Sequence, residues 1–262
     1  MHKWMHYFPV YEAHLAPSRG KKVRMLEIGV SHGGSLEMWR SFLGRRCTIV
    51  GVDIDPRVSQ LEAPGLQIRI GDQADAEFLG ALRTEFDTFD IILDDGGHHP
   101  AAQIASFEAL WPTVPDGGIY MVEDLHTSYW PAYGGAPGSA DSFIGWLHRR
   151  IDDLHAFHSR TPGFEPNDWT RTIGSIHIYD SIVVVVKEQR SAPEVKMSGR
   201  PSFDDVYGVE LSEVLDEEHA RQIESTGSPV ARVRRLARHP VTTTKRVADR
   251  VAATRRSASA SR

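Results

Sequence analysis

Two short stretches of the sequence place a pair of adjacent acids directly after an apolar run. "IILDDGGHHP" contains Asp94 and Asp95, and "IYMVEDLHTSYW" contains Glu123 and Asp124, with a histidine a few residues after each pair. Burying like charges side by side is costly unless a cation or a proton neutralises them. Carboxylate oxygens suit a hard cation such as Mg²⁺ or Ca²⁺. Either pair alone could be a helix cap or a solvated strand end, but both in one chain favour a metal site.

Short apolar strands alternate with longer amphipathic segments through the first half of the chain, which is the pattern of a parallel sheet covered by helices. Their continuous apolar character predicts strands that are buried on both faces. The predicted strands are 23–29, 47–53, 66–72, 89–95 and 118–124. Helical spacing marks 35–44 and 100–114, and residues 172–189 are expected to form a terminal hairpin that is at least partly antiparallel. Ligands of such sheets bind outside the carboxyl ends of the strands, where both acidic pairs stand.

A glycine-rich turn, "LEIGVSHGGS" (26–35), follows the first strand and opens a helix, so a ligand could approach its backbone closely. Such turns occur in dehydrogenases, methyltransferases and purely structural loops, and the glycine spacing is not the dinucleotide pattern G-x-G-x-x-G. Asp53, at the end of the second strand, is placed to hold ribose hydroxyls. The next strand ends in "GDQAD", which would put Asp72 and Gln73 near an adenine edge.

Four motifs together, "LEIGVSHGGSLEMW", "IVGVDIDP", "GDQAD" and "FDIILDDGGHH", resemble the class I S-adenosylmethionine (SAM)-dependent methyltransferases. Residues 93–135 are similar to the metal-dependent sugar O-methyltransferases of actinobacteria, which act on macrolide deoxysugars, and to relatives that methylate mannose or rhamnose in polysaccharides. The likeness spans about residues 3–189. It implies a Rossmann-like α/β fold with a mostly parallel, doubly wound seven-stranded sheet that ends in an antiparallel hairpin.

The resemblance also implies which acids bind the metal. The fourth and fifth strands are neighbours in a methyltransferase sheet, so the two acidic pairs would converge beside the cofactor, without basic partners. Asp95, Glu123 and Asp124 match the metal ligands of the family, and His98 matches its proposed general base, while Asp94 is left nearer the cofactor. A histidine near neutrality could take the proton of a sugar hydroxyl that chelates a divalent ion.

The expected cofactors are SAM and Mg²⁺ or another divalent cation. The N-terminal stretch "HKWMHYFPVYEAHL" matches a family segment that folds over the cofactor, so Tyr7 or Tyr11 would touch its methionine end. The residues predicted to bind the cofactor are Tyr11, Glu27, Gly29, Ser35, Asp53, Asp72, Gln73 and Asp94.

An aromatic cluster follows the second acidic pair. Tyr129, Trp130 and Tyr133, with Trp146 on the following helix, could pack on the C–H faces of a sugar acceptor or only close a lid over the core. They belong to a segment at 125–171 that is too apolar for a linker, and it is interpreted as a helix flanked by loops that cover the site.

Composition sets the class of protein and the expected compartment. A chain of 262 residues with one cysteine, Cys47, excludes a disulfide framework, and the apolar surroundings of Cys47 indicate a buried packing residue. We expect a cytoplasmic protein, since no apolar run is long enough for a membrane span and no secretory segment opens the chain.

A methyltransferase domain at 1–227 and a basic tail at 228–262 are predicted. The family resemblance implies a homo-oligomer.

The tail carries ten Lys or Arg and one acid, although the net charge of the whole chain is −5. It contains no aromatic residue for base stacking. A weakly ordered, solvated extension is therefore favoured over an interaction role, and no nucleic-acid partner is expected.

The sequence thus predicts a SAM- and Mg²⁺-dependent O-methyltransferase that acts on a sugar or oligosaccharide, specifically in methylmannose polysaccharide synthesis. Methylation of a sugar on a macrolide-type natural product is the alternative within this class. A metal-dependent hydrolase could use the same carboxylates and His98, but would not need Gly29, Asp53 and Asp72 in register. A nucleic-acid-binding protein driven by the basic tail is a third reading, and a nicotinamide dehydrogenase is disfavoured by the glycine spacing.

Overall fold

The structure is a computed structural model that describes residues 2–196, and its first compact unit spans Met1–Pro193. The predicted domain boundary at 227 and the basic tail at 228–262 lie outside the described residues. Within the described range, none of the helices is long and apolar enough to cross a membrane.

A seven-stranded sheet with the order β3-β2-β1-β4-β5-β7-β6 forms the centre of the unit. Strands β1 to β5 are parallel to one another, β7 is antiparallel to β5, and β6 is antiparallel to β7. The strands are β1 Arg24–Ile28, β2 Thr48–Asp53, β3 Leu66–Ile70, β4 Ile91–Asp94, β5 Ile119–Val122, β6 Ile173–Tyr179 and β7 Ile182–Lys187. This is the predicted Rossmann-like methyltransferase fold, including the terminal hairpin, and the predicted strands lie within two residues of these bounds.

Six α-helices accompany the sheet in the described part of the chain. They are α1 Tyr7–Leu15, α2 Gly34–Leu43, α3 Ala76–Phe86, α4 Pro100–Leu110, α5 Phe143–His155 and α6 Asp168–Thr172. Helix α3 was not predicted, although Asp75 caps it by accepting from the backbone N–H groups of Glu77 and Phe78. A cap of this type is a local start signal that sequence inspection could have used.

The core lies on both faces of the sheet. Met25, Ile49 and Leu93 belong to one buried cluster, whereas Leu26 and Val50 belong to the other. Since successive side chains of a strand point to opposite faces, this alternation means that both faces are covered. The prediction that the strands are buried on both sides is confirmed.

The chain order reverses between β1 and β4, and the loops after these two strands meet there. The Gly29 backbone has φ +93°, and a Cβ built on it would lie 2.1 Å from the carbonyl oxygen of Asp95. Only glycine permits both this conformation and this approach. The Glu123 N–H donates to the Asp94 carbonyl at 2.9 Å, so the two acidic pairs stand side by side, with Asp94 and Asp95 at the switch point of the sheet.

Candidate active site

A cavity of about 820 Å³ opens at the carboxyl ends of β1 to β4. Its walls come from the loops that follow these strands, together with His2 and Lys3 from the N-terminal segment and Asp124 after β5. Five of the eight residues predicted to bind the cofactor line this cavity: Gly29, Ser35, Asp53, Asp72 and Gln73. Their contact with a cofactor remains a prediction, and the structure shows that they share one cavity.

Asp53 also shapes the first loop of the cavity. Its Oδ2 accepts from the backbone N–H groups of Val30 and Ser31 at 2.9 and 2.8 Å, and its Oδ1 accepts from that of Asp55 at 2.9 Å. These contacts hold the loop after β1 against the end of β2. The neighbouring side chain of Ile54 lines the cavity and is 68% exposed, so it offers an apolar surface to a ligand there.

Gln73 and Asp94 connect two loops of the cavity. The amide nitrogen of Gln73 donates to both carboxylate oxygens of Asp94 at 3.1 and 3.2 Å, and its carbonyl oxygen accepts from the Gly97 N–H at 2.7 Å. The Ser106 hydroxyl donates to Asp94 Oδ2 at 2.6 Å. Burial raises the pKa of Asp94 to about 6, although these hydrogen bonds favour its ionised form. In this structure, Asp94 is a fully buried anchor of the loop beneath the cavity.

Glu27 and Tyr11, two further residues predicted to bind the cofactor, are also buried. Glu27 Oε1 accepts from Trp39 Nε1 at 3.3 Å, and its Oε2 has no hydrogen-bond partner among the described residues. Burial raises the pKa of Glu27 to about 7, against the opposing effect of the Lys3 charge. The Tyr11 hydroxyl donates to Glu123 Oε1 at 2.5 Å, so this side chain is directed at a predicted metal ligand.

Lys3 corrects the expectation that the acidic pairs converge without basic partners. Its Nζ lies 2.6 Å from Asp95 Oδ2 and 2.7 Å from Glu123 Oε2, and the lysine side chain is 3% exposed. The sequence expectation was wrong because the pairing joins residues 92 and 120 positions apart in the chain. The stretch that contains Lys3 was singled out, but no local pattern marks the lysine as a partner of these acids.

Asp95, His98 and Asp124 form the group best placed to hold a metal ion within the described residues. One ligand atom from each lies within 4.8 Å of the others, and His98 Nε2 is 3.6 Å from Asp124 Oδ2. Glu123, the third predicted ligand, is instead bound by Lys3 and Tyr11. The assignment of Asp95, Glu123 and Asp124 as the ligand set stays a prediction.

The backbone is strained at two of these residues. His98 has φ +54° and Asp124 has φ +55°, a left-handed conformation that non-glycine residues rarely adopt. Such strain persists only where the surrounding structure enforces it, and it concentrates at functional sites. The hydroxyl of Tyr7 donates to Asp124 Oδ1 at 2.8 Å, and that of Thr127 donates to the His98 carbonyl at 2.9 Å.

The donor set fits a hard divalent cation. Burial raises the pKa of Glu123 to about 7 and that of Asp95 above its usual range, while the charge of Lys3 opposes both shifts. Carboxylates in such surroundings gain from a nearby cation. His98 Nδ1 is buried without a hydrogen-bond partner in the part of the chain that the structure describes, which leaves the imidazole free to serve a ligand.

A row of aromatic rings extends from the cavity to the surface, and we call it the aromatic rim. It comprises Trp4, His99, His126, Trp130 and Tyr133. Successive ring centroids are 5.0 Å (His99 to Tyr133), 6.1 Å (Tyr133 to Trp130), 4.5 Å (Trp130 to His126) and 6.2 Å (His126 to Trp4) apart. His99 lines the cavity, while Trp4 and Trp130 are each 49% exposed.

Only part of the predicted aromatic cluster belongs to this rim. Tyr129 is 48% exposed and lies outside the rim, on the short helical segment Leu125–Tyr129 that also carries His126. Trp146 is buried on α5, where its ring packs against Phe107 and its Nε1 donates to Glu108 at 2.8 Å. Trp146 does not join the rim, because α5 turns its apolar face, with Phe143 and Leu147, into the core. Its burial agrees with the alternative in which these aromatics cover the core.

Residues 26–125 match the family model described as "Methyltransferase domain". The chain is 38% identical over 198 residues to the 8-demethyl-8-alpha-L-rhamnosyl tetracenomycin-C 2'-O-methyltransferase of Streptomyces olivaceus, covering 71% of this chain and 51% of that protein. It is likewise 38% identical over 198 residues to the mycinamicin VI 2''-O-methyltransferase of Micromonospora griseorubida, covering 70% and 49%.

Among solved structures, the chain is similar to the MycE methyltransferase from the mycinamycin biosynthetic pathway, in complex with Mg and SAH. The TM-score is 0.69 at 34% identity, covering 78% of this chain and 54% of that chain. The chain therefore spans about half the length of the relatives that it matches.

Glu27 provides a test of the electrostatics behind the cavity. Its pKa in the folded protein, about 7, lies above its ordinary value of 4.5, so the native state holds the proton more tightly than the unfolded chain. The free energy of unfolding should therefore be largest below pH 4.5 and fall as the pH rises through 7, by roughly 3 kcal/mol at most from this group. Denaturant titrations from pH 5 to pH 9 should show a flatter pH dependence for Glu27→Gln than for the wild type.

The control is Glu37→Gln, which removes an exposed acid from α2. It should keep the pH dependence of the wild type. Parallel curves for the wild type and Glu27→Gln would contradict the prediction.

Proposed function

We propose that this chain, whose residues 26–125 match the methyltransferase-domain model, is a SAM- and Mg²⁺-dependent O-methyltransferase that acts on a sugar hydroxyl. The observation that carries the proposal is the position of Asp95, His98 and Asp124 at the wall of the 820 Å³ cavity. That arrangement puts candidate metal ligands and a candidate base next to the space expected for the cofactor. The similarity to sugar O-methyltransferases supports the choice of acceptor class.

The cofactor would occupy the part of the cavity bounded by the loops after β1, β2 and β3. Gly29 keeps the first loop free of side-chain bulk, and Asp53 presents a carboxylate at the end of β2. Ile54 offers an apolar surface beside it. These features suit the ribose and the adenine ring of SAM, whose activated methyl group supplies the reacting carbon.

A divalent cation would be held by Asp95 and Asp124, with Glu123 as the third ligand implied by the family resemblance. When bound, it would supply Lewis-acid chemistry that makes a chelating hydroxyl more acidic. Asp94 is not a candidate ligand of the cation, since its carboxylate accepts hydrogen bonds from Ser106 and Gln73.

His98 would act as the general base. Its Nε2 faces Asp124 Oδ2 at 3.6 Å, so the imidazolium formed by proton transfer would have a carboxylate beside it. The left-handed backbone of His98 aims the ring, and Thr127 ties the His98 carbonyl in place. Positioning and deprotonation are the main tasks left to the protein, because the sulfonium of SAM is already activated.

The acceptor would lie along the aromatic rim. Exposed aromatic faces pack well against the C–H faces of sugars, and the rim leads from His99 in the cavity to Trp130 and Trp4 at the surface. Tyr129, Trp130 and Tyr133 remain the predicted acceptor contacts. The names of the relatives favour a sugar on a natural product, whereas a mannoside of a methylmannose polysaccharide is the specific prediction from the sequence.

The first experiment is isothermal titration of S-adenosylhomocysteine into EDTA-treated protein, with and without Mg²⁺. Rhamnosides, mannosides and glycosylated macrolides are then titrated under both conditions. Cofactor binding without metal and acceptor binding only with metal would support the proposal. Absence of cofactor binding under every condition would overturn it and leave a metal-dependent hydrolase as the better explanation of the carboxylates.

Asp95→Asn and Asp53→Asn should separate the two halves of the site. Loss of a metal ligand should lower kcat by at least about 100-fold while the Kd of S-adenosylhomocysteine stays near the wild-type value. Loss of the ribose-binding charge should instead raise that Kd by roughly 10- to 100-fold. Each variant is the control for the other, and full activity of Asp95→Asn in EDTA would contradict the metal assignment.

His98→Asn should test the general base. Asparagine tolerates a left-handed backbone, so the loop should keep its conformation. The kcat should fall by roughly 10²- to 10⁴-fold at neutral pH, with partial recovery at high pH as hydroxide replaces the base. Steady-state kinetics from pH 6 to pH 10 provide the measurement, and unchanged kcat across this range would remove His98 from the mechanism.

Trp130→Ala should weaken acceptor binding, because it removes an exposed aromatic face from the rim. The KM for the acceptor should rise by about 10-fold, while the Kd of S-adenosylhomocysteine stays unchanged. Tyr179→Ala is the control, since Tyr179 is an exposed aromatic residue on β6, outside the rim. Equal acceptor KM values for the wild type and Trp130→Ala would contradict the assignment.

A further inference from the structure

Lys3 occupies the position in which a cation between Asp95 and Glu123 would be expected. Its ammonium group lies within 2.7 Å of one oxygen of each carboxylate. The lysine side chain is 3% exposed, and the side chains of Asp95 and Glu123 are 19% and 1% exposed. The ion pairs are therefore largely shielded from water, and charge interactions are stronger in such surroundings than in water.

The ammonium has the properties of a substitute for a metal ion. It is a compact positive charge with three donors, and it ends a flexible stem that can reach into a site and withdraw from it. Burial alone would lower the pKa of Lys3, but the carboxylates of Glu123, Asp95 and Glu27 outweigh that effect and hold the pKa well above its ordinary value. The lysine is thus charged in the folded protein at neutral pH.

Asp95 is shared between two sets of contacts. It is the partner of Lys3, and it is also one of the three residues whose ligand atoms lie within 4.8 Å of one another. A divalent ion bound to Asp95 would sit close to the ammonium and be repelled by it. Binding of Lys3 to these carboxylates and binding of a divalent ion to them therefore oppose each other.

We propose that Lys3 is an internal counter-ion that occupies the carboxylates in the metal-free protein and that a divalent cation displaces when it binds. This inference rests on the metal site of the proposed function. It adds that the N-terminal segment at residues 2–6 moves when the metal enters. The ammonium keeps Asp95 and Glu123 compensated until then, which limits the cost of holding two buried carboxylates close together.

The contacts of the N-terminal segment are consistent with such a movement. Helix α1 is anchored by buried side chains, among them Val10 and Tyr11. In contrast, Trp4 and Met5 just before it are 49% and 79% exposed. The segment can therefore detach ahead of α1 without opening the core.

Displacement of Lys3 would also alter the aromatic rim. Trp4 is the next residue in the chain, and its ring lies 6.2 Å from that of His126. Metal binding would then change the acceptor surface as well as the carboxylate cluster. The expected consequence is that the metal binds before the acceptor.

Chemical labelling of lysine amines tests the displacement in the wild-type protein. The protein is treated with formaldehyde and a hydride donor, in EDTA or in saturating Mg²⁺, and methylation of each lysine is measured by mass spectrometry. Lys3 should be protected in EDTA and labelled with Mg²⁺ present. Lys187 is the matched control, because it is buried at the opposite end of the strands from the carboxylates. It donates to the Trp111 carbonyl at 2.8 Å, a contact that the metal would not affect.

Direct metal binding is the second readout. Titration of Mn²⁺ into Lys3→Met, followed calorimetrically and by electron paramagnetic resonance, should show an affinity at least about tenfold higher than that of the wild type. Lys3→Arg, which keeps the charge, should bind Mn²⁺ no more tightly than the wild type. In EDTA, Lys3→Met should unfold at a lower temperature than the wild type, and Mn²⁺ should raise its Tm more than it raises that of the wild type.

Continued protection of Lys3 in saturating metal, with equal Mn²⁺ affinity in Lys3→Met, would overturn the proposal and make Lys3 a fixed counter-ion. The labelling experiment decides the matter by itself if Lys3→Met does not fold. Metal-dependent methyl transfer with a protected Lys3 would refute this inference alone. Failure of both proteins to bind any divalent cation would refute the inference together with the metal site of the proposed function.

Discussion

The electrostatic cost of gathering carboxylates at one edge of the sheet is the constraint on which the rest of the site depends. Asp95, Glu123 and Asp124 follow adjacent parallel strands, and the backbone hydrogen bond from Glu123 to Asp94 holds the two loops in register. Their like charges would repel one another in surroundings that are mostly closed to water. Positive charge is therefore a requirement of the fold here, as well as of the proposed chemistry.

The N-terminal segment and helix α1 together meet this requirement in the described structure. Lys3 supplies the charge, while the hydroxyls of Tyr11 and Tyr7 donate to Glu123 and Asp124. These three residues precede the first strand, so a part of the chain outside the sheet completes its charged edge. Helix α1 holds the two tyrosines in place because its buried side chains belong to the core.

The cofactor side of the cavity is shaped by polar side chains that hold loops. Asp53 accepts from three backbone N–H groups, and Gln73 bridges the loops after β3 and β4 by way of Asp94 and Gly97. Buried polar networks of this kind are favourable when each member has its partners. Residues that are predicted to contact a cofactor thus also hold the walls of the cavity.

The sequence by itself determined the sheet, because strand and helix periodicities are local patterns that survive without tertiary information. It also located both acidic pairs at strand ends and the glycine-rich turn, and the resemblance of its motifs supplied the fold class. The helix at Ala76–Phe86 escaped notice although its capping aspartate was a local signal.

Only the tertiary structure decided which charges meet. The pairing of Lys3 with Asp95 and Glu123 spans 92 and 120 positions, and the burial of Trp146 depends on how α5 packs against the core. Such contacts arise when distant segments are brought together by the burial of apolar surface. No spacing within a short stretch can encode them, so the counter-ion of the acidic site was visible only in the folded chain.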